Sequence, residues 1–295
     1  MCIRLEWLTN SRASCLYAAA AIAAGRTLAD ARLAVALAGP ASAFAARLNA
    51  AGATPSIWRR LVPLSVNVND TTEFVQVSLS QTTGQVAHDT VLIGHLAAAV
   101  GDLEQATTAI YPQLVAELDL RSRPLREQWE AYGPGLWGQL ARLTAGRPLA
   151  REATVLLVQP ACGGGGTSYN AHNSVAFEAV LANPVPPLPE VLRLAWLLAQ
   201  LGGDSRRESP FEALALVPAV LAAAENLELA RSDVATVKLA LSTWWPDLAE
   251  PEAVASSLAS WWTGGAVNTM NWPERLQNLS ARLSSSLSLN YAPEA

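Results

Sequence analysis

The stretch PACGGGGTSYNAHNS, residues 160–174, gathers the residue types in this chain that could do chemistry. Cys162 and His172 could serve as nucleophile and base, and the four glycines 163–166 expose backbone amides of the kind that bind an oxyanion or a phosphate. A phosphate loop, however, needs a Lys-Ser/Thr pair and a helix start directly after its glycines, and this stretch has neither. Each glycine must also be fixed from a wide conformational range, which works against a preorganised oxyanion site. The stretch therefore reads as a hairpin connection, with a ligand or partner contact through a mobile loop and a metal-free hydrolase or transferase built on Cys162 and His172 as the alternatives.

Few other titratable groups are spaced for chemistry. His88 and His95 lie seven residues apart in a helical pattern, about 10 Å along the axis, too far to share a metal, and Asp89 suits a helix start. Cys2, Cys15 and Cys162 match neither a zinc pattern nor a disulfide framework, so a reduced, cytoplasmic setting is expected, with no metal and no cofactor. The net charge is −5, and every basic residue except Lys238 is Arg, a bias that fits a GC-rich bacterial genome. No arginine cluster with interleaved aromatics is present, which argues against nucleic-acid binding. The apolar run at 13–24 is shorter than the roughly 20 residues needed to cross a bilayer, and Glu6 and Trp7 stand where a leader would be basic, so neither a membrane span nor a signal peptide is expected.

The elements that must position these residues follow from periodicity. Alternation over 2–8 predicts a strand, and β-like runs at 61–68 and 73–80 predict two more around an Asn69-Asp70 turn. Helices are expected over 12–24, 28–38 and 40–51, the last two separated by Gly39-Pro40, then over 88–118 and 125–144. Strands at 153–158 and 175–181 would form the hairpin around the glycines, and helices near 209–227, 230–243, 249–261 and 272–286 would complete the chain. The expected fold is α+β, predominantly helical, with a small antiparallel or mixed sheet. Its divisions are a core at 1–203, a C-terminal helical region at 204–287 packed on it, and a tail at 288–295.

Residues 188–201 are apolar around the whole helical circumference, so this helix is expected at the centre of the core. Arg193 interrupts it. A buried guanidinium needs a partner, and Glu178 on the preceding strand is expected to pair with it, or failing that Glu190 one turn away. Ten tryptophans include the pairs Trp244-Trp245 and Trp261-Trp262. Adjacent helical residues point about 100° apart, so one ring of each pair can enter the core and its neighbour face a partner.

The order helix, strand, loop, strand, central helix over residues 124–202 resembles the catalytic core of gluzincin-type metallopeptidases, in which an edge strand holds peptide beside a helix bearing His-Glu-x-x-His. The segment HNSVAFEAVLANPVPPLPEVLRLAWLLAQL also resembles an uncharacterised, planctomycete-like bacterial protein family. Where the zinc helix would carry its ligands this chain has RLAWL, Arg193 to Leu197, which cannot hold a cation. The resemblance thus implies a scaffold that has lost its metal. The function expected is a non-catalytic bacterial scaffold or partner-binding protein, its partner another protein or a second copy of itself.

Overall fold

A computed structural model describes residues 2–53, 57–83, 89–180, 185–202, 210–264 and 270–286. The predominantly helical α+β class is as expected, and the sheet is mixed. Its four strands are β1 (Arg4–Thr9), β2 (Glu152–Val158), β3 (Gly166–Tyr169) and β4 (Ser174–Glu178), in the order β1-β2-β4-β3. β1, β2 and β4 run parallel, and β3 returns antiparallel along the far side of β4.

Helices cover both faces of the sheet, and the two-residue period of the strands assigns each side chain to a layer. Val155, Leu157, Val175 and Phe177 enter one core with α6 (Leu114–Leu143), α7 (Glu190–Gln200), α8 (Pro210–Glu225), α9 (Val234–Trp244), α10 (Pro251–Thr263) and α11 (Trp272–Ser286). Leu156, Val158 and Ala176 enter the other, with α1 (Ser11–Ala23), α2 (Ala31–Ala50), α3 (Trp58–Leu64), α4 (Thr71–Thr83) and α5 (Thr90–Ile110). The helices after residue 209 share their core with α6, α7 and one sheet face. The expected tail at 288–295 lies outside the described residues, as does His88.

Three expectations are corrected. The segments 61–68 and 73–80 contribute to helices α3 and α4, not strands. In the second, Phe74, Val75, Ser78 and Leu79 are buried at helical spacing, and the Asp70 carboxylate accepts the Glu73 N–H at 2.8 Å, so Asp70 starts a helix and does not close a hairpin. The helices expected over 28–38 and 40–51 are one, α2, which runs through Pro40. Leu33, Leu37, Ala41, Phe44 and Leu48 form one buried stripe through both halves, and burying it outweighs the hydrogen bond that Pro40 removes. Finally, β2 and β4 are parallel neighbours, and the hairpin partner of β4 is β3, a strand inside the supposed loop.

α7 is buried along nearly its whole length, from Val191 to Ala199. It packs so closely under β3 that a Cβ at Gly166 would lie 2.5 Å from Leu197 Cδ1 and 2.8 Å from the Ala176 carbonyl oxygen. Gly166→Ala should therefore cost about 1–3 kcal/mol by overpacking. Urea unfolding measures it, and an unchanged midpoint would mean that β3 and α7 are not in this contact.

Candidate functional site

The glycine stretch is ordered by a charge from within the chain. Glu178, at the end of β4, is fully buried and on the opposite face from Phe177. Its carboxylate accepts the backbone N–H groups of Cys162 at 2.9 Å, Gly164 at 2.7 Å and Gly165 at 3.0 Å. Gly163 and Gly164, at φ 86° and 137°, occupy backbone conformations that side chains rarely adopt, which lets successive amides converge on one carboxylate. The loop amides that could have met a bound anion are thus taken by Glu178.

Arg193 holds the same loop from the other side. Its guanidinium donates to the Gly164 and Gly165 carbonyl oxygens and to the Glu190 carboxylate, and to the Glu178 carbonyl at 3.0 Å, while lying 3.8 Å from the centre of the Phe177 ring. The expected Arg193–Glu178 ion pair is therefore corrected: Arg193 meets only the main chain of Glu178, and its carboxylate partner is Glu190. The strand period is the reason. α7 packs on the Phe177 face, and the Glu178 side chain points to the other. Burial pushes the Glu190 carboxyl up from its ordinary value, opposed by the Arg193 charge beside it.

Beyond the loop runs a groove of about 570 Å³, with β3 along it. Glu178 N–H donates to the Gly165 carbonyl, which fixes the phase of the antiparallel ladder: 165, 167 and 169 bond to β4, whereas Gly166 and Ser168 turn their N–H and C=O outward. Among the described residues these outward groups meet no hydrogen-bond partner. One wall carries Trp196, Trp244, Trp245 and Pro246; the other carries Ala20, Ala24, Ala45 and Trp58. An Arg26–Asp247 ion pair joins the two walls near Cys162. Burial, reinforced for Tyr17 by Glu178 and opposed for both by the neighbouring Thr167 hydroxyl, holds the Tyr17 and Tyr169 phenols well above their ordinary range.

The sequence-derived candidates fall as follows. Trp244 is buried and stacked on Trp196, ring centres 5.6 Å apart, and Trp245 is half-buried on the groove wall. Trp261 is fully buried, and Trp262 is half-buried beneath the Arg275 guanidinium, 5.8 Å from its ring centre. One ring of each pair thus enters the core, but only Trp244 and Trp245 line the groove. Cys162 and His172 are not brought together. They sit at opposite ends of β3, whose four residues span about 13 Å. Burial, then Glu178, pushes the Cys162 thiol up, and burial with Arg60 pushes His172 down, so at neutral pH the thiol is protonated and the imidazole neutral.

Sequence reasoning missed β3, Tyr17 and the Ala-lined wall. The available signal for β3 was GTSY, a short run with β-forming Thr and Tyr inside a fifteen-residue connection too long for a tight hairpin. Asp89 does cap α5, accepting from Val91 and Leu92, and His95 is exposed on that helix. Among the described residues no three His, Cys, Asp or Glu side chains are grouped to hold a metal ion. One described helix, α2, is long and apolar enough to cross a membrane, and its Leu33-to-Leu48 stripe is buried against α1 and α5. Comparison with protein-family models, with curated proteins and with solved structures returns no match.

Two outcomes follow from this geometry. Glu178→Gln replaces an acceptor oxygen with a donor aimed at loop amides, and should cost about 3 kcal/mol in chemical unfolding, whereas Glu152→Gln on the exposed surface should cost almost nothing. Iodoacetamide should modify Cys162 more slowly than the exposed Cys2 at pH 7, with a Cys162 rate still climbing above pH 9. Fast alkylation at neutral pH would restore the nucleophile reading.

Proposed function

We propose that this chain is a non-catalytic, partner-binding protein whose groove receives an extended polypeptide segment alongside β3. One observation carries the reading: β3 is a sheet edge with outward N–H and C=O groups at the half-buried Gly166 and the buried Ser168, lining the groove. An unpaired edge in water is a liability that proteins usually blunt with charge or proline, and neither stands between Gly166 and Tyr169. A polypeptide added there gains main-chain hydrogen bonds from the edge and contact energy from the walls. Alternate side chains of the added strand would meet the Trp196, Trp244 and Trp245 wall and the Ala20, Ala24 and Ala45 wall.

The absence of a catalytic centre in this reading rests on the same residues. The loop amides that might have stabilised an oxyanion are bound to Glu178, Cys162 is far from His172, and α7 carries Arg193 and Trp196 where a metallopeptidase helix would carry ligands. Descent from a metallopeptidase-like scaffold is part of the proposal, supported by an antiparallel edge strand followed by an interior helix. Three unpaired thiols support a reducing, cytoplasmic setting.

The test is selection of binders from a random peptide library, followed by synthesis of the best binder with a single N-methyl group at each position in turn. Affinity should fall about three- to tenfold at every second position, since only alternate N–H groups of an added strand face β3. Trp245→Ala should weaken the same peptide. Failure to enrich any peptide, or losses without a two-residue period, would overturn the proposal.

A further inference from the structure

The opposite edge of the sheet is also open, and its sequence is complementary to itself. Arg4 N–H donates to the Arg151 carbonyl, so residues 4, 6 and 8 of β1 ladder to β2 while Leu5 and Trp7 turn their N–H and C=O outward. No described residue hydrogen-bonds these outward groups. Leu5 and Trp7 lie half-buried on the α6 side, and Arg126 covers the Trp7 ring at 5.5 Å. On the other face Arg4 and Glu6 are exposed; the Arg4 and Glu152 side chains, 84% and 64% exposed, form a surface pair. That pair is solvated, so it holds Arg4 only weakly.

We propose that a second copy of this chain pairs antiparallel along β1, about a two-fold axis through Leu5, to make one continuous sheet of two copies. In that register Leu5 faces its own copy as a hydrogen-bonded pair, and Arg4 stands opposite the partner's Glu6 at the close, non-hydrogen-bonded spacing, twice by symmetry. Ile3 comes beside the partner's Trp7 on the apolar face. A two-fold axis through Glu6 would satisfy the backbone equally well but would set Glu6 against itself, and like charges directly opposite one another destabilise a strand pair. Charge therefore selects the first register. The two β3 grooves lie at the far ends of the joined sheet, so self-association leaves both open.

Sedimentation equilibrium on the whole chain, with charge-reversal variants, tests this. A six-residue edge makes a small interface, so a dimer with a dissociation constant on the order of micromolar is expected. Glu6→Arg alone and Arg4→Glu alone each place like charges opposite and should weaken the dimer about tenfold or more, while the double variant R4E/E6R should return it to the wild-type value. Circular dichroism on all four proteins confirms folding, since both positions are exposed. A monomer at every concentration up to about 0.5 mM, or a dimer indifferent to all three variants, would overturn the proposal.

Discussion

A buried carboxylate with three backbone donors, bracketed by a guanidinium that holds the same loop by its carbonyls, is the constraint on which the rest of this structure depends. Without Glu178, the amides of Cys162, Gly164 and Gly165 would converge on nothing in a place where water is scarce. Without Arg193, the Gly164 carbonyl would lose its donor and the Gly165 carbonyl one of its two, keeping only the Glu178 N–H. Four consecutive glycines are costly to order, and hydrogen bonds to charged groups, at about 1.5–3 kcal/mol each, are the means available to order them. Once the loop is held, β3 emerges from it in a fixed register against β4. The phase of that register decides which backbone groups face the groove.

The same cluster joins the two helical layers. Glu178 belongs to the face covered by α1 to α5, where Tyr17 feels its charge; Arg193 belongs to the interior helix of the other layer. Both reach the main chain of one loop, which connects β2 to β3. Arg147 repeats the device at the far end of α7. It donates to the carbonyls of Gln200 and Leu201 while bound to Glu212 at 2.7 Å, completing the helix terminus with a cation, as the helix dipole favours.

Much of this architecture is legible in the sequence. The all-round apolar helix, the facing of Val175 and Phe177, and the division of each Trp pair follow from period alone, since burial is what period reports. What could not be read is which partner a polar group chooses. Arg193 and Glu178 are close along the chain and opposite in charge, but a one-residue step along β4 moves a side chain to the other side of the sheet, and Glu190 wins on geometry. The segments 61–68 and 73–80 failed for another reason. Short apolar runs fit strand and helix alike, and the deciding signal was the Asp70-to-Glu73 spacing, a helix start mistaken for a turn. β3 escaped because four residues, two of them Gly166 and Ser168, carry almost no periodic signal; pairing with β4 creates that strand.

The division of labour in the glycine loop bears on what this protein can do. A catalytic oxyanion hole works because its donors are aimed at a charge that develops only in the transition state, so they must stand ready and unoccupied beforehand. Here the donors of the same loop are used in the ground state by a resident carboxylate, and the free energy that could have stabilised a reacting oxygen stabilises the fold. Outside the loop the logic reverses. Gly166 and Ser168 leave their polar groups turned to the groove, where any bound segment can meet them. An edge that is unsatisfied in the free protein and satisfied by any extended backbone distinguishes bound from unbound without distinguishing ground state from transition state. On the proposed reading that is the thermodynamic character of a receptor, with specificity left to the tryptophan and alanine walls on either side.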